Sequence, residues 1–135
     1  MKVSFEVEGT PAPKGSKTRT RYGFRESSKR VGPWADAVKA AAIAAGDSQG
    51  LFGALDPPYR VDVWFYISRP ATTKAAHPVA PTVGDADKLL RSTFDALKMG
   101  GLIEDDRFIV AGEFSKQWAG QNETPGAVIR VTELE

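Results

Sequence analysis

Gly84-Asp85-Ala86-Asp87-Lys88-Leu89-Leu90-Arg91-Ser92-Thr93-Phe94-Asp95-Ala96-Leu97, followed after Gly100-Gly101 by Ile103-Glu104-Asp105-Asp106, is the stretch around which the rest of the chain is organised. Leu90, Phe94 and Leu97 recur at helical spacing with Leu89, Thr93 and Ala96 beside them, which predicts an amphipathic helix from about Asp87 to Met99. Gly100-Gly101 stops it. Two carboxylates stand at its mouth and a second acidic cluster lies just past its end. A helix of that length is about 18 Å long, so the two clusters meet only if the chain folds back. Together they would make a hard-oxygen cage, which Mg²⁺ and Mn²⁺ prefer to nitrogen or sulfur donors. Such ions drive phosphodiester hydrolysis by stabilising charge on the attacking and leaving oxygens. The expectation is a metal-dependent nuclease.

A plainer reading competes. Asp85 could cap the helix, Asp87 could favour its dipole, and Asp87 with Arg91 is an i,i+4 ion pair worth about 0.2–0.5 kcal/mol. That account does not extend to Glu104-Asp105-Asp106, three adjacent acids whose repulsion a divalent ion would relieve, although acidic pairs also occur in ordinary surface turns.

Upstream, Lys2 to Glu8 alternates Val3, Phe5 and Val7 with polar residues, a strand with one buried face. Gly9-Thr10-Pro11-Ala12-Pro13-Lys14-Gly15-Ser16 breaks regular structure and opens a basic loop over residues 9–32. Between 14 and 30 stand Lys14, Lys17, Arg19, Arg21, Arg25, Lys29 and Arg30 against Glu26 alone. With Tyr22 and Phe24 interleaved, this segment suits a phosphate backbone and stacked bases, or else is a solvated loop. Pro33 to Ala45 predicts a first helix, with Trp34 packed in the core. Tyr59 to Ser68 is a β-branched and aromatic run, predicting a central second strand. Residues 69–83, with three prolines, Lys74 and His77, have no hydrophobic period and form a flap. Arg107 to Trp118 and Gly126 to Thr132 predict two final strands joined as a β-hairpin. The order β-α-β-α-β-β implies one α+β domain over residues 1–135, a small mixed sheet carrying two main helices.

Composition narrows the class. The chain has 135 residues, 41% of them hydrophobic, and no cysteine. One core is enough for that length, and disulfide or zinc-thiolate chemistry is excluded. No apolar run reaches the roughly 20 residues of a membrane span, and Met1-Lys2-Val3-Ser4-Phe5 has no signal-peptide core. A soluble cytoplasmic protein without a membrane partner is expected.

The run Asp85-Ala86-Asp87-Lys88-Leu89-Leu90-Arg91, then Phe94-Asp95-Ala96-Leu97, Glu104-Asp105-Asp106 and Lys116, resembles the RusA family of Holliday junction resolvases. Gly9 to Lys17 also resembles that family's early loop, and His77 stands where its members often carry histidine. The resemblance implies that Asp85, Asp87 and Asp106 are the metal-binding catalytic carboxylates, with Asp105 a helper. Arg91 falls where the family has a catalytic lysine, Lys88 where it has asparagine and Gly84 where it has proline, so either Arg91 or Lys88 would take the cationic role. It further implies Mg²⁺ or Mn²⁺ as cofactor, a four-way DNA junction as substrate, and a homodimer making two symmetric nicks. Lys14, Lys17, Arg19, Arg21, Lys74, His77 and Lys116 would hold the DNA. The alternatives are a catalytically weak or inactive junction-binding protein of the same fold, and an acidic protein-contact surface with structural metal only.

Overall fold

The computed structural model describes residues 1–14, 17–20, 23–26 and 30–135, with the backbone alone described for 17–20 and 23–26. The elements run β1 (Lys2–Glu8), β2 (Lys17–Thr20), β3 (Gly23–Glu26), α1 (Val31–Ser48), β4 (Tyr59–Ile67), α2 (Ala86–Met99), a 3₁₀ turn (Asp106–Phe108), β5 (Ile109–Ala111), β6 (Phe114–Trp118) and β7 (Gly126–Glu133). β2 and β3 form a small antiparallel ribbon inside the basic loop. The other five strands make one mixed sheet in the order β1-β7-β4, with β5 and β6 following one another along the far side of β4. The α+β class with two helices on a small mixed sheet is therefore what the chain adopts.

β4 explains the order. Tyr59, Val61, Val63, Phe65 and Ile67 are all buried on one face, and a strand this apolar is most stable in the sheet interior with ladder partners on both sides. β7 pairs antiparallel on one side, placing Val63 opposite Ile129. β6 pairs parallel on the other, placing Phe65 opposite Lys116. The expected β6–β7 hairpin does not form, because β4 lies between them. Residues 119–125 are a crossing over the end of β4, and local turn chemistry reads the same in either case. The predicted third strand is also divided. Asp106–Phe108 is a 3₁₀ turn, and Gly112-Glu113 separates β5 from β6.

Both helices pack on the apolar sheet face. Trp34 on α1 is buried as expected, its ring 6.4 Å from that of Phe65. Its indole N–H donates to Thr93 Oγ1 at 3.2 Å, and Thr93 in turn donates to the Leu89 carbonyl at 2.9 Å. This polar link sets α1 against α2 where a purely apolar contact would allow sliding. At the end of α2, Gly101 turns the chain at φ +75°, a conformation open to glycine. The Leu102 N–H closes on the Leu97 carbonyl at 3.1 Å, and buried Leu102 and Ile103 anchor the reversal. The acidic turn at 104–106 is thereby held beside the last turn of α2.

On the opposite sheet face Asp62 is fully buried yet satisfied. It accepts from the Glu113 N–H at 2.9 Å and from the Arg60 and Arg130 guanidiniums at 3.0–3.2 Å. Desolvation would raise its pKa, but these donors outweigh it and hold the carboxyl below its ordinary value.

Candidate active site

The start of α2 is clamped by the loop that follows β1. Ser92 Oγ donates to the Ala12 carbonyl at 2.7 Å and the Lys14 N–H donates to the Lys88 carbonyl at 3.0 Å. Ala12 is completely buried. Gly84 sits against Pro13 so closely that a Cβ there would lie 2.6 Å from the Pro13 ring, and its φ is +101°. A proline, whose ring fixes φ near −65°, cannot take that conformation. Glycine at 84 thus belongs to a different backbone path into the helix from the one a proline would set.

Asp85 occupies the N-cap position of α2 with extended backbone but makes no side-chain cap hydrogen bond. Its carboxylate is 75% exposed, and its nearest cation is Lys88 at 4.0 Å. Among the described residues Asp87 has no ion pair within 4 Å, so the Asp87–Arg91 pair of the plainer reading is not formed. Both acids remain open at the positive end of the helix dipole. From β6, Lys116 Nζ reaches across to donate to the Gly84 carbonyl at 3.2 Å. Arg91 is exposed one turn beyond Asp87. This end of α2 therefore carries two exposed carboxylates, Asp85 4.0 Å from Lys88 and Asp87 without an ion pair among the described residues, and three cations, Lys88, Arg91 and Lys116.

The second acidic cluster stands at the other end. Asp105 caps the 3₁₀ turn by accepting from the Arg107 N–H at 3.1 Å, and its other oxygen meets Lys98 at 3.3 Å. The Arg107 amide first, then shared hydrogen bonding with Asp106 and the Lys98 ammonium, lower its pKa to about 2. Asp106 moves the opposite way. Loss of surrounding water, then the hydrogen bond and charge of Asp105 and the charge of Asp95, push it up. Two adjacent acids that share a proton are separated in this manner.

Asp85 and Asp87 stand at the cap and in the first turn of α2, whereas Asp105 is tied to the last turn of that helix. Lys98, which holds Asp105, is thirteen residues along α2 from Asp85, an axial rise of about 20 Å. Among the described residues no group of three or more His, Cys, Asp or Glu side chains lies together in a way that could hold a metal ion. Mg²⁺, however, is commonly held by only one or two carboxylates, with water and substrate phosphate completing its shell. The open Asp85–Asp87 pair fits that requirement.

The remaining candidates are scattered. Lys14 is engaged by Asp95 at 2.7 Å. Lys74 and His77 are exposed on the flap. The flap has no helix or strand, as expected, and is tied down where the Trp118 indole donates to the Ala75 carbonyl at 3.0 Å and Arg30 donates to the Thr82 carbonyl at 2.6 Å. Lys17 and Arg19 lie on β2, where only backbone is described, and Arg21 lies outside the described residues. Sequence reasoning gave no role to Asp95, which links Lys14 to the field around Asp106, nor to Arg69 and Trp118. The Asp95-Ala96-Leu97 run was a signal for the first, but nothing local marked the other two. No described helix is long and apolar enough to cross a membrane.

The sequence model of the endodeoxyribonuclease RusA family matches residues 5–132. No curated protein matches the chain significantly.

Proposed function

The chain belongs to the RusA endodeoxyribonuclease family, and on that premise we propose that it is a Mg²⁺-dependent nuclease that resolves four-way DNA junctions as a homodimer. The observation that carries this reading is the state of Asp85 and Asp87. A helix-capping acid would be hydrogen-bonded and a surface-pair acid would be near its arginine; neither is the case. Two exposed carboxylates, only one of them paired and that at 4.0 Å, beside three cations suit a site that holds a metal and a phosphodiester together. When bound, the ion would supply charge stabilisation for the attacking and leaving oxygens. Lys116, steered by the Gly84 carbonyl, and Lys88 and Arg91 would draw in the phosphate and offset the charge that grows on it. Arg91 does so as a fixed cation, because guanidinium does not release a proton at working pH.

The separation of the two acidic clusters supports the homodimer. Paired nicks need two sites, and a two-fold axis relates one surface patch to its copy. An axis passing beside both ends of α2 would let each Asp85–Asp87 pair draw Asp106 from the partner subunit, since Asp105 beside it is held by Lys98 thirteen residues along the helix from Asp85. The decisive experiment incubates the protein with a synthetic four-way junction and a matched linear duplex in Mg²⁺, Mn²⁺ or EDTA and resolves the strands on a denaturing gel. Symmetric nicks confined to the junction and abolished by EDTA are expected. Binding to the junction without product in either metal would instead establish a catalytically inactive junction binder.

A further inference from the structure

A cavity opens between the base of the flap and the 119–123 crossing, and none of Asp85, Asp87, Asp105 and Asp106 lines it. It measures about 770 Å³ and is lined by Arg69, Trp118, Gln121, Asn122 and Glu123, with Ser68 at its edge. Its volume is that of an ordinary small-molecule site. The Trp118 ring is held in place by its N–H bond to Ala75. The Arg69 guanidinium lies over the same ring at 6.0 Å. That is the outer limit of a cation–π contact, and it is looser than two other such pairs among the described residues: Arg107 lies 4.5 Å from the Phe108 ring and Arg130 5.2 Å from the Trp64 ring. Stacked bases are spaced at about 3.4 Å, so a base sandwiched between two planar groups needs a gap of about 7 Å. Exposed Arg69 is free to swing away from Trp118 and admit a base against the ring face.

Placement supports the same ligand. Phe65 and Ile67 of β4, opposite Lys116 and Trp118, are buried on the helix-side face, so Lys116 and Trp118 share that side of the sheet. Lys116 touches Gly84 at the mouth of α2. Two residues of strand separate the cation at the acids from the indole, about 7 Å or two nucleotides of stacked strand. Gln121 and Asn122 place side-chain amides, which can both donate and accept, at the cavity rim where the edge of a base would arrive. Glu123 is turned to its own loop, accepting from the Gly120 N–H at 3.1 Å.

We propose that this cleft is a base-capture site, in which an unstacked nucleobase from the crossover of branched DNA slides between Trp118 and Arg69 and fixes which phosphate lies at Asp85 and Asp87. The inference rests on the nuclease reading above and adds to it a determinant of where the cut falls. Branched DNA offers such a base cheaply, because pairing and stacking are already weakened at the crossover, whereas a linear duplex must be opened first. Stacking of this kind is sequence-tolerant, with any preference coming from the amides.

The test uses four-way junctions carrying 2-aminopurine at single positions on either side of the crossover, bound by the full protein in EDTA so that no strand is cut. Wild type should change the fluorescence at one position only, and Arg69→Ala and Trp118→Leu should abolish that change. The same variants should bind the junction about tenfold more weakly, leave linear-duplex affinity unaltered, and spread the cleavage positions once Mg²⁺ is added. Arg69 is a surface residue, so its variant reads the site without disturbing the core packing that Trp118 shares. If wild type binds and cuts junctions but the fluorescence shows no position-specific change, or the variants match wild type in affinity and cut register, the base-capture site is wrong and the nuclease reading stands. If wild type shows no affinity for the junction over the duplex, both fall.

Discussion

The two ends of α2 carry the same residue type in opposite circumstances. At the C-terminal end Asp105 is occupied: it caps a 3₁₀ turn, binds Lys98 and is lowered to about 2. At the N-terminal end Asp85 stands at a capping position without capping, and Asp87 stands one turn from an arginine without pairing. The first arrangement lowers the energy of the fold; the second leaves charge repulsion and solvation to be settled by something outside the chain. An exposed acid that its own fold does not tie down is open to an external cation, which needs only one or two such carboxylates.

The comparison breaks most directly by removing the free acids. Asp85→Asn or Asp87→Asn should reduce junction cleavage at least about 100-fold while junction affinity is retained; cleavage near wild type in both would end the metal-site reading. Next in size is the loss of the steered cation. Lys116→Ala should slow cleavage by about 100-fold, measured in single-turnover assays, with Lys74→Ala changing it far less.

Mixing sharpens the comparison further. Asp85→Asn and Asp106→Asn proteins, each inactive alone, should regain single nicks when their subunits are exchanged. One of the two sites in the mixed dimer then combines an intact Asp85–Asp87 pair with an intact Asp106. Exchange without recovered nicking would place all the carboxylates of a site on one chain.

Stability should respond in the reverse order. Asp105→Ala removes a cap and should lower Tm by about 2–5 °C, while Asp85→Ala should leave it within about 1 °C. The smallest effect is that of pH. Asp105 is depressed in the folded state, so its contribution is present above pH 3.8 and is lost as pH falls towards about 2. Asp106 is raised, so its contribution is present below pH 3.8 and is lost as pH climbs through its folded value. Asp106→Asn should therefore be slightly more stable than wild type at pH 7 and indistinguishable from it below pH 3, as read from thermal melts across that range.

Much of this was legible in the residues. The 3.6-residue period at 89–97 marked α2 as amphipathic, although the face it buries is centred on Leu89, Thr93 and Ala96, with Leu90 and Phe94 at its half-buried border. The apolar run at 59–67 marked the central strand, and Trp34 stood out as a core residue of a helix that in fact starts two residues before Pro33 and runs on through Gly46 to Ser48. Each follows from the spacing of side chains along one element, which is local and survives in any fold that element joins. Asp85 and Asp87 were equally visible, since a helix cap and the first turn after it are set by local sequence.

What only the tertiary structure decided is which elements meet. The residues of β6 and β7 would satisfy a hairpin's alternation as well as they satisfy two strands parted by β4, because period two says which face is buried and nothing about the neighbour. The distance between the acidic clusters, the engagement of Asp105 by Lys98, and the opening between Arg69 and Trp118 likewise join residues from separate elements. Such pairings are set by the competition of all strands and helices for one core, and that competition is resolved only when the whole chain has folded.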